Sequence, residues 1–359
     1  MTQSGRVNLL DYDPAAMREL FAERGIEKYR ADQVIDWIYK RGVYVFDKMT
    51  NLPAPLRSRM LGEFTIGAGE VVRKDLSRDD DSVKFLLRFD DGEMAETVYI
   101  PRDKRRTVCV SSQVGCKFGC VFCASGQAGF ARHLKAGEIV VQVLRARDES
   151  DTKDISHIVF MGMGEPFDNY GEVLAAIRRL NDPKCFEIGA RKITVSTSGL
   201  VPKIDSFCEK GIQVELSVSL HGANDEVRGK LMPINRRWPV KELIQSCKNY
   251  VDKTGRVITF EYLLAKGLNA SISDAKELAM LLRDVHCKVN LIPLNPIPEF
   301  PYERPSYPEI KAFQNVLERN EVPATVRFSR GNAISAACGQ LRRMAKGGCA
   351  PMPSRRKPE

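Results

Sequence analysis

Three cysteines stand within eight residues, Cys116-Lys-Phe-Gly-Cys120-Val-Phe-Cys123, and this run constrains the chain more than any other feature. The C-x₃-C-x₂-C spacing puts three soft sulfur donors on one short loop. A structural zinc site takes four protein ligands, and a cubane iron–sulfur cluster held by protein alone takes four cysteines. Three thiolates leave one position open. They predict a [4Fe–4S] cluster with one iron free to bind a small molecule, which points to redox catalysis and away from scaffolding. The alternative is zinc completed by His133, although the unequal 3-then-2 spacing suits paired zinc knuckles poorly.

The rest of the composition fits a catalytic α/β protein. With 359 residues and 43% hydrophobic content, the chain can bury one large core and a smaller one. A formal net charge of +9 suits a polyanionic partner such as RNA or DNA. Met1-Thr-Gln-Ser-Gly-Arg-Val-Asn8 lacks an apolar core, and no run reaches the roughly 18 apolar residues of a membrane span. The expectation is a cytoplasmic protein with no membrane contact, whose ten cysteines serve metal binding or catalysis. Cys185, Cys208, Cys247 and Cys287 stand singly in periodic segments and read as small packed residues, and Cys349 reads as incidental.

Residues 1–70 read as a helical accessory domain. Asp13-Pro14 opens its first helix with a cap and an early proline, and a second helix is expected over 31–40. Lys28, Arg30, Lys40, Arg41, Arg57 and Arg59 make this module a candidate RNA or DNA contact. Residues 71–104 hold a linking β-hairpin with a turn at Asp90-Asp91-Gly92. Over 105–340, strands at 107–110, 155–161, 192–196, 213–219, 257–263 and 288–292 alternate with helices at 137–148, 170–180, 201–210, 237–252, 271–283 and 307–319. A seventh strand is expected at 324–328. This βα repeat predicts a parallel sheet, either an open barrel or a doubly wound sheet. Residues 341–359 form a basic tail, expected to be disordered beyond about 348.

In both parallel architectures ligands gather at the carboxyl ends of the strands. The cysteine loop follows the first strand and Gly162-Met-Gly164-Glu165-Pro166 follows the second. Ser196-Thr-Ser-Gly199, Ser219-Leu220-His221 and Asn295-Pro296 follow the third, fourth and sixth, so all should converge on one face. Cys109 ends the first strand. Cys338 follows the last βα unit among the small residues Ala336, Ala337 and Gly339, either as a packing site or on a loop returning over the mouth.

The cysteine run resembles the signature of the radical S-adenosylmethionine superfamily, whose fold is a partial (βα)₆ barrel. In that superfamily the open iron chelates S-adenosylmethionine, and one electron cleaves it to a 5′-deoxyadenosyl radical. Gly162-Met-Gly164-Glu165 resembles its "GGE" motif, which binds the methionine amine. Ala336-Ala-Cys-Gly-Gln-Leu341, with Val98-Tyr-Ile-Pro101, Cys109-Val-Ser-Ser-Gln-Val-Gly-Cys116, Leu231-Met-Pro-Ile-Asn235 and Asn290-Leu-Ile-Pro293, is similar to the RlmN family of dual-specificity rRNA/tRNA adenine-C2 methyltransferases and to its C8-methylating relative, Cfr. The resemblance runs from about Leu9 to Leu341.

The resemblance implies the following roles. Two S-adenosylmethionines are consumed per methylation. The first methylates the cysteine matching Cys338, and the second supplies the radical that activates this methyl group for addition to adenine C2. A covalent protein–RNA adduct forms. The cysteine matching Cys109 releases it as a disulfide, and Glu96 matches the proton acceptor at C2. Cys116, Cys120 and Cys123 match the cluster ligands, while Gly164, Glu165, Ser196, Ser219, Leu220, His221 and Asn295 match cofactor contacts. The implied substrates are adenosine 2503 of 23S rRNA and adenosine 37 of some tRNAs. A flavodoxin-type or thiol electron donor and a monomeric state are also expected. The chain departs from the family pattern at Ala333, where an aspartate is usual, and at Phe167-Asp168, which replaces Leu-Leu. C8 methylation and a non-catalytic iron–sulfur RNA-binding assembly factor are the competing readings.

Overall fold

In the computed structural model, residues 5–67, 69–150, 154–328 and 330–342 are described. The N-terminal module contains helices α1 (Pro14–Glu23), α2 (Lys28–Ile35) and α3 (Ala54–Glu63). Asp13 caps α1 by accepting the Ala16 N–H at 2.8 Å, and Met17, Leu20 and Phe21 form its buried stripe. Lys28, Arg30, Lys40, Arg41 and Arg59 each face a carboxylate, so much of this module's positive charge is neutralised locally.

A ten-stranded sheet follows. Its strands are β1 (Glu70–Leu76), β2 (Val83–Arg88), β3 (Met94–Arg102), β4 (Arg105–Cys109), β5 (His157–Phe160), β6 (Ile193–Thr197), β7 (Glu215–Ser219), β8 (Ile258–Leu264), β9 (Cys287–Pro293) and β10 (Ala324–Val326). They lie side by side in sequence order. From β4 to β10 every pairing is parallel, and β1 to β4 pair antiparallel. The hairpin β2–β3 is therefore continuous with the parallel sheet. β1, an additional charged edge strand, lay inside no segment that alternation could reveal.

The strand order decides between the two parallel architectures. A doubly wound sheet reverses its order at a switch point. Here the order never reverses, and right-handed crossovers stepping in one direction put their helices on one face. The sheet curls into an open barrel. The crossover helices are α4 (Ala136–Asp148), α5 (Tyr170–Asn181), α6 (Val201–Cys208), α7 (Asp225–Leu231), α8 (Val240–Thr254), α9 (Ile272–Leu282) and α10 (Tyr307–Arg319). α7 is additional to the expected set; its seven residues are too few for a readable stripe. All seven residues of β8 are buried, as a central parallel strand requires. Cys185, Cys247 and Cys287 are packed in the core. Of the expected basic tail, residues 343–359, including Arg343, Lys346, Cys349, Arg355, Arg356 and Lys357, lie outside the described residues.

The N-terminal module docks on the outside of α4 and α5. Arg179 donates to the Leu10 and Asp11 carbonyls, Lys135 pairs with Asp11 at 3.0 Å, and the Tyr44 hydroxyl donates to Asp148 at 2.7 Å. A Cβ at Gly137 would come within 2.4 Å of the Leu10 carbonyl oxygen, so the first turn of α4 tolerates only glycine. We expect Gly137→Ala to lose about 1–3 kcal/mol in denaturant unfolding by overpacking this junction. Gly171→Ala in α5 meets open space and should be neutral or slightly stabilising. Equal effects at the two positions would contradict the docking geometry.

Candidate active site

The loops after the parallel strands enclose a cavity of about 980 Å³, counting its open mouth. Cys116, Cys120, Cys123, Gly164, Glu165, Ser196, Ser219, His221 and Cys338 all line it. Cys109, Glu96, Leu220 and Asn295 are not in its lining. Leu220 is fully buried.

A short hairpin, Gln113–Gly115 with Phe130–His133, frames the cysteine loop. The Cys116 N–H donates to the Gly129 carbonyl, and the Val121 N–H to Leu231 at the end of α7. Lys117 reaches Asp168 at 2.7 Å, so the departure Phe167-Asp168 places an anchor for this loop. The Phe122 ring meets the His221 ring edge-on at 4.7 Å. Burial pushes the Cys116 thiol up to about 12 and Cys120 well above its ordinary value; neighbouring thiols add to both shifts. Metal binding would displace these protons. His133, the alternative zinc ligand, is exposed and contacts Gln113 at 3.0 Å, outside the cavity lining. Among the described residues no three His, Cys, Asp or Glu side chains are gathered as around a single ion.

Glu165 is buried with both carboxylate oxygens occupied by backbone donors, Phe167 N–H at 2.9 Å and Ser198 N–H at 2.7 Å. Burial raises its pKa, and these N–H groups oppose the rise. Gly164 sits at φ +99°, and a Cβ there would lie 2.5 Å from Gln113 Cβ; the glycine lets Gln113 accept the Glu165 N–H at 2.9 Å. Ser198 Oγ lies near Glu165 yet makes no well-formed hydrogen bond, and Glu261 Oε2 on β8 makes none either. Both residues line the cavity. Under-satisfied buried polar atoms beside three thiols fit a polar ligand, and the acid fits an ammonium group, as cluster-bound S-adenosylmethionine would require.

His221 has φ +57°. Its Nδ1 accepts the Leu263 N–H at 2.9 Å, so Nε2 carries the proton. Burial, then the positive charge of Arg228, lowers its pKa to about 3.

Cys338 exposes its surface, and that surface borders the cavity. Its loop is tied on both sides. Asn295 donates to the Cys338 carbonyl at 3.1 Å, which makes this asparagine a support for the cysteine loop. The Ala124 N–H donates to Gly339 at 2.7 Å and the Ser125 hydroxyl to Leu341 at 2.5 Å. Asp80 accepts the Gly331 N–H at 2.7 Å and Lys84 approaches Ser335 O at 3.4 Å, so the loop is anchored although Ala333 replaces the usual aspartate. Glu96 accepts the Arg342 N–H at 2.8 Å and pairs with buried Lys84 at 3.1 Å. Burial pushes the Cys109 thiol up to about 12, and Cys338 is its next influence. Arg327 lies 3.5 Å from Glu261, and its charge acts on Cys109 and Cys338 alike. Sequence reasoning missed Ser125, Lys84, Arg228 and Arg327, for which no local signal exists. It also missed Glu261, whose lone charge in the apolar run Ile258–Leu264 was visible.

An open parallel barrel with a three-cysteine loop after its first strand and a glycine–glutamate turn after its second defines a radical S-adenosylmethionine enzyme. The Radical SAM superfamily profile matches residues 110–279, and the profile for "Ribosomal RNA large subunit methyltransferase N-terminal domain" matches residues 7–66. A crystal structure of a radical SAM methyltransferase from Sphaerobacter thermophilus superimposes with a TM-score of 0.91 at 47% identity, covering 94% of this chain and 99% of that one. The "Probable dual-specificity RNA methyltransferase RlmN" of Clostridium tetani is 45% identical over 94% of this chain and 96% of its own. The protein of the same name from Staphylococcus haemolyticus is 46% identical over 93% and 91%. The chain belongs to the RlmN family.

The buried neutral His221 has a pH consequence. Its folded pKa is depressed below the unfolded value near 6.5, so its contribution to stability is complete above about 6.5 and is lost as pH falls toward 3. His221→Gln should therefore flatten the loss of stability over that window in denaturant unfolding. An unchanged acid limb would contradict the neutral, Nε2-protonated assignment.

Proposed function

We propose that this chain methylates C2 of adenine in RNA, with adenosine 2503 of 23S rRNA and adenosine 37 of tRNA as substrates, carrying the carbon on Cys338. The observation that carries this reading is that Cys116, Cys120, Cys123 and Cys338 border one shared cavity, with the buried Cys109 at the end of β4. Adenine C2 is an electron-poor aromatic carbon that does not attack a sulfonium methyl as a nucleophile would. When bound on Cys116, Cys120 and Cys123, a [4Fe–4S] cluster with S-adenosylmethionine supplies a methyl group and then, at the cost of one electron and a second S-adenosylmethionine, the radical that activates it.

Glu165 would receive the cofactor ammonium, with Ser196, Ser198, Ser219 and His221 completing the polar wall. The Cys338 sulfur takes the methyl as a thioether and later holds the RNA through its carbon. Arg327 favours the thiolate of both cysteines. Once the RNA adduct has given its unpaired electron back to the cluster, the Cys109 thiolate would attack the Cys338 sulfur: an S–S bond forms as the S–C bond breaks, and the carbon leaves on RNA with the bonding pair and takes up a proton to become the methyl group. A two-electron thiol donor restores the thiols, and a flavodoxin-type donor supplies the single electron to the cluster. Glu96 accepts the C2 proton. Its present bonds to Lys84 and the Arg342 N–H mean that the loop bearing Cys338 shifts before it can do so. The N-terminal module adds RNA contacts, and the enzyme acts as a monomer. No helix of the described residues is long and apolar enough to cross a membrane.

The test is anaerobic methylation of 23S rRNA and tRNA followed by nucleoside mass spectrometry. We expect 2-methyladenosine from the wild type, background levels from Cys338→Ala with S-adenosylmethionine binding retained, and a trapped protein–RNA adduct from Cys109→Ala. Predominant 8-methyladenosine, or full transfer by Cys338→Ala, would overturn the reading.

A further inference from the structure

Arg228 on α7 is the largest side chain with no exposed surface among the described residues. Its Nη2 donates to the Ser198 carbonyl at 2.7 Å, and its Nη1 donates to Asn235 Oδ1 at 2.8 Å and to the Trp238 carbonyl at 3.3 Å. Nε has no hydrogen-bond partner. Among the described residues no carboxylate lies within the 4.0 Å of an ion pair. Asp225 is no closer than that limit, and its Oδ1 accepts from Asn235 Nδ2 at 3.0 Å and the Val240 N–H at 2.7 Å. A buried guanidinium without a paired anion costs several kcal/mol, and such a charge is retained where something else supplies the opposing one.

The surroundings identify that anion. Leu231, at the end of the same helix, holds the Val121 N–H of the cysteine loop. A Cβ on Gly222, the residue after His221, would lie 2.6 Å from Arg228 N, and one on Gly199 would lie 3.0 Å from its Nη2, so Arg228 packs directly behind the cavity wall formed by Ser198 and His221. The Ser198 peptide that Arg228 grips by its carbonyl gives its N–H to Glu165. Three thiolates on a doubly positive [4Fe–4S] core leave one net negative charge, and a one-electron reduction adds another. A fixed cation nearby favours the reduced form.

We propose that Arg228 is a positioning residue that supplies the buried counter-charge of the cluster and raises its reduction potential, while the same guanidinium fixes the Ser198 peptide that orients Glu165. The electron comes from a low-potential one-electron donor, and no bond to Arg228 forms or breaks. This inference rests on the reading of Cys116, Cys120 and Cys123 as cluster ligands.

The test is a potentiometric titration, followed by electron paramagnetic resonance, of the full chain reconstituted anaerobically with iron and sulfide. Arg228→Met and Arg228→Gln remove the charge, and Arg228→Lys keeps it with fewer donors. We expect all variants that fold to hold iron and sulfide as the wild type does. The midpoint should move to more negative potential in the neutral variants and stay near the wild type in Arg228→Lys. An unchanged midpoint in any folded neutral variant, or an equal fall in Arg228→Lys, would overturn the counter-charge role. If only Arg228→Lys folds, a wild-type midpoint supports the role and a lowered one overturns it. A wild-type chain that takes up zinc and no iron fails the cluster reading itself, and metal analysis reports this before any potential is measured.

Discussion

The active site depends on the hydrogen bonds that tie the loop after β4 to the loop carrying Cys338. The Ala124 N–H and the Ser125 hydroxyl, next to Cys123, hold the carbonyls of Gly339 and Leu341. These bonds bring together the two chemical halves of the site, the group that would start the chemistry and the sulfur that would carry the carbon. Asn295 and Lys84 hold the far side of the same loop, and Glu96 holds its end. The resemblance implied a cofactor contact for Asn295 and a proton-accepting role for Glu96. In this conformation Asn295 Nδ2 and Glu96 Oε2 each hold a backbone group of the loop bearing Cys338.

The second constraint is electrostatic. Glu165, Glu261, Lys84, Glu96 and Arg228 are all buried, although ionised groups are costly to desolvate. Lys84 and Glu96 offset one another, and Arg327 faces Glu261. Glu165 is held by backbone N–H groups, which carry partial positive charge. Low-dielectric surroundings strengthen each of these interactions. They also keep the thiols protonated until a metal, a methyl donor or a nearby cation changes the balance.

Much of the fold and part of the site were legible because their signals are local. Six βα units appear as alternating apolar runs, and the cysteine spacing, Gly164-Glu165 and Ser219-Leu-His221 each occupy one strand end. The relation between Ser125 and Leu341, 216 residues apart, has no trace in either segment taken alone. Lys84 looked like an ordinary polar position on a half-buried strand, because its burial comes from the returning Cys338 loop. Arg228 stood in a short segment between glycines and a proline, and only the packed structure reveals that it points inward. β1 was missed because an edge strand needs no apolar alternation, and its residues remain half exposed.

The central claim is that Cys338 is the carbon carrier at a cavity it shares with the cluster ligands. The most direct measurement is peptide mass spectrometry of the anaerobically reconstituted chain after incubation with S-adenosylmethionine bearing an isotopically labelled methyl group. The account predicts a single labelled methyl on the peptide containing Cys338. Label on Cys109 or another cysteine, or an unlabelled chain that still methylates RNA, would contradict it.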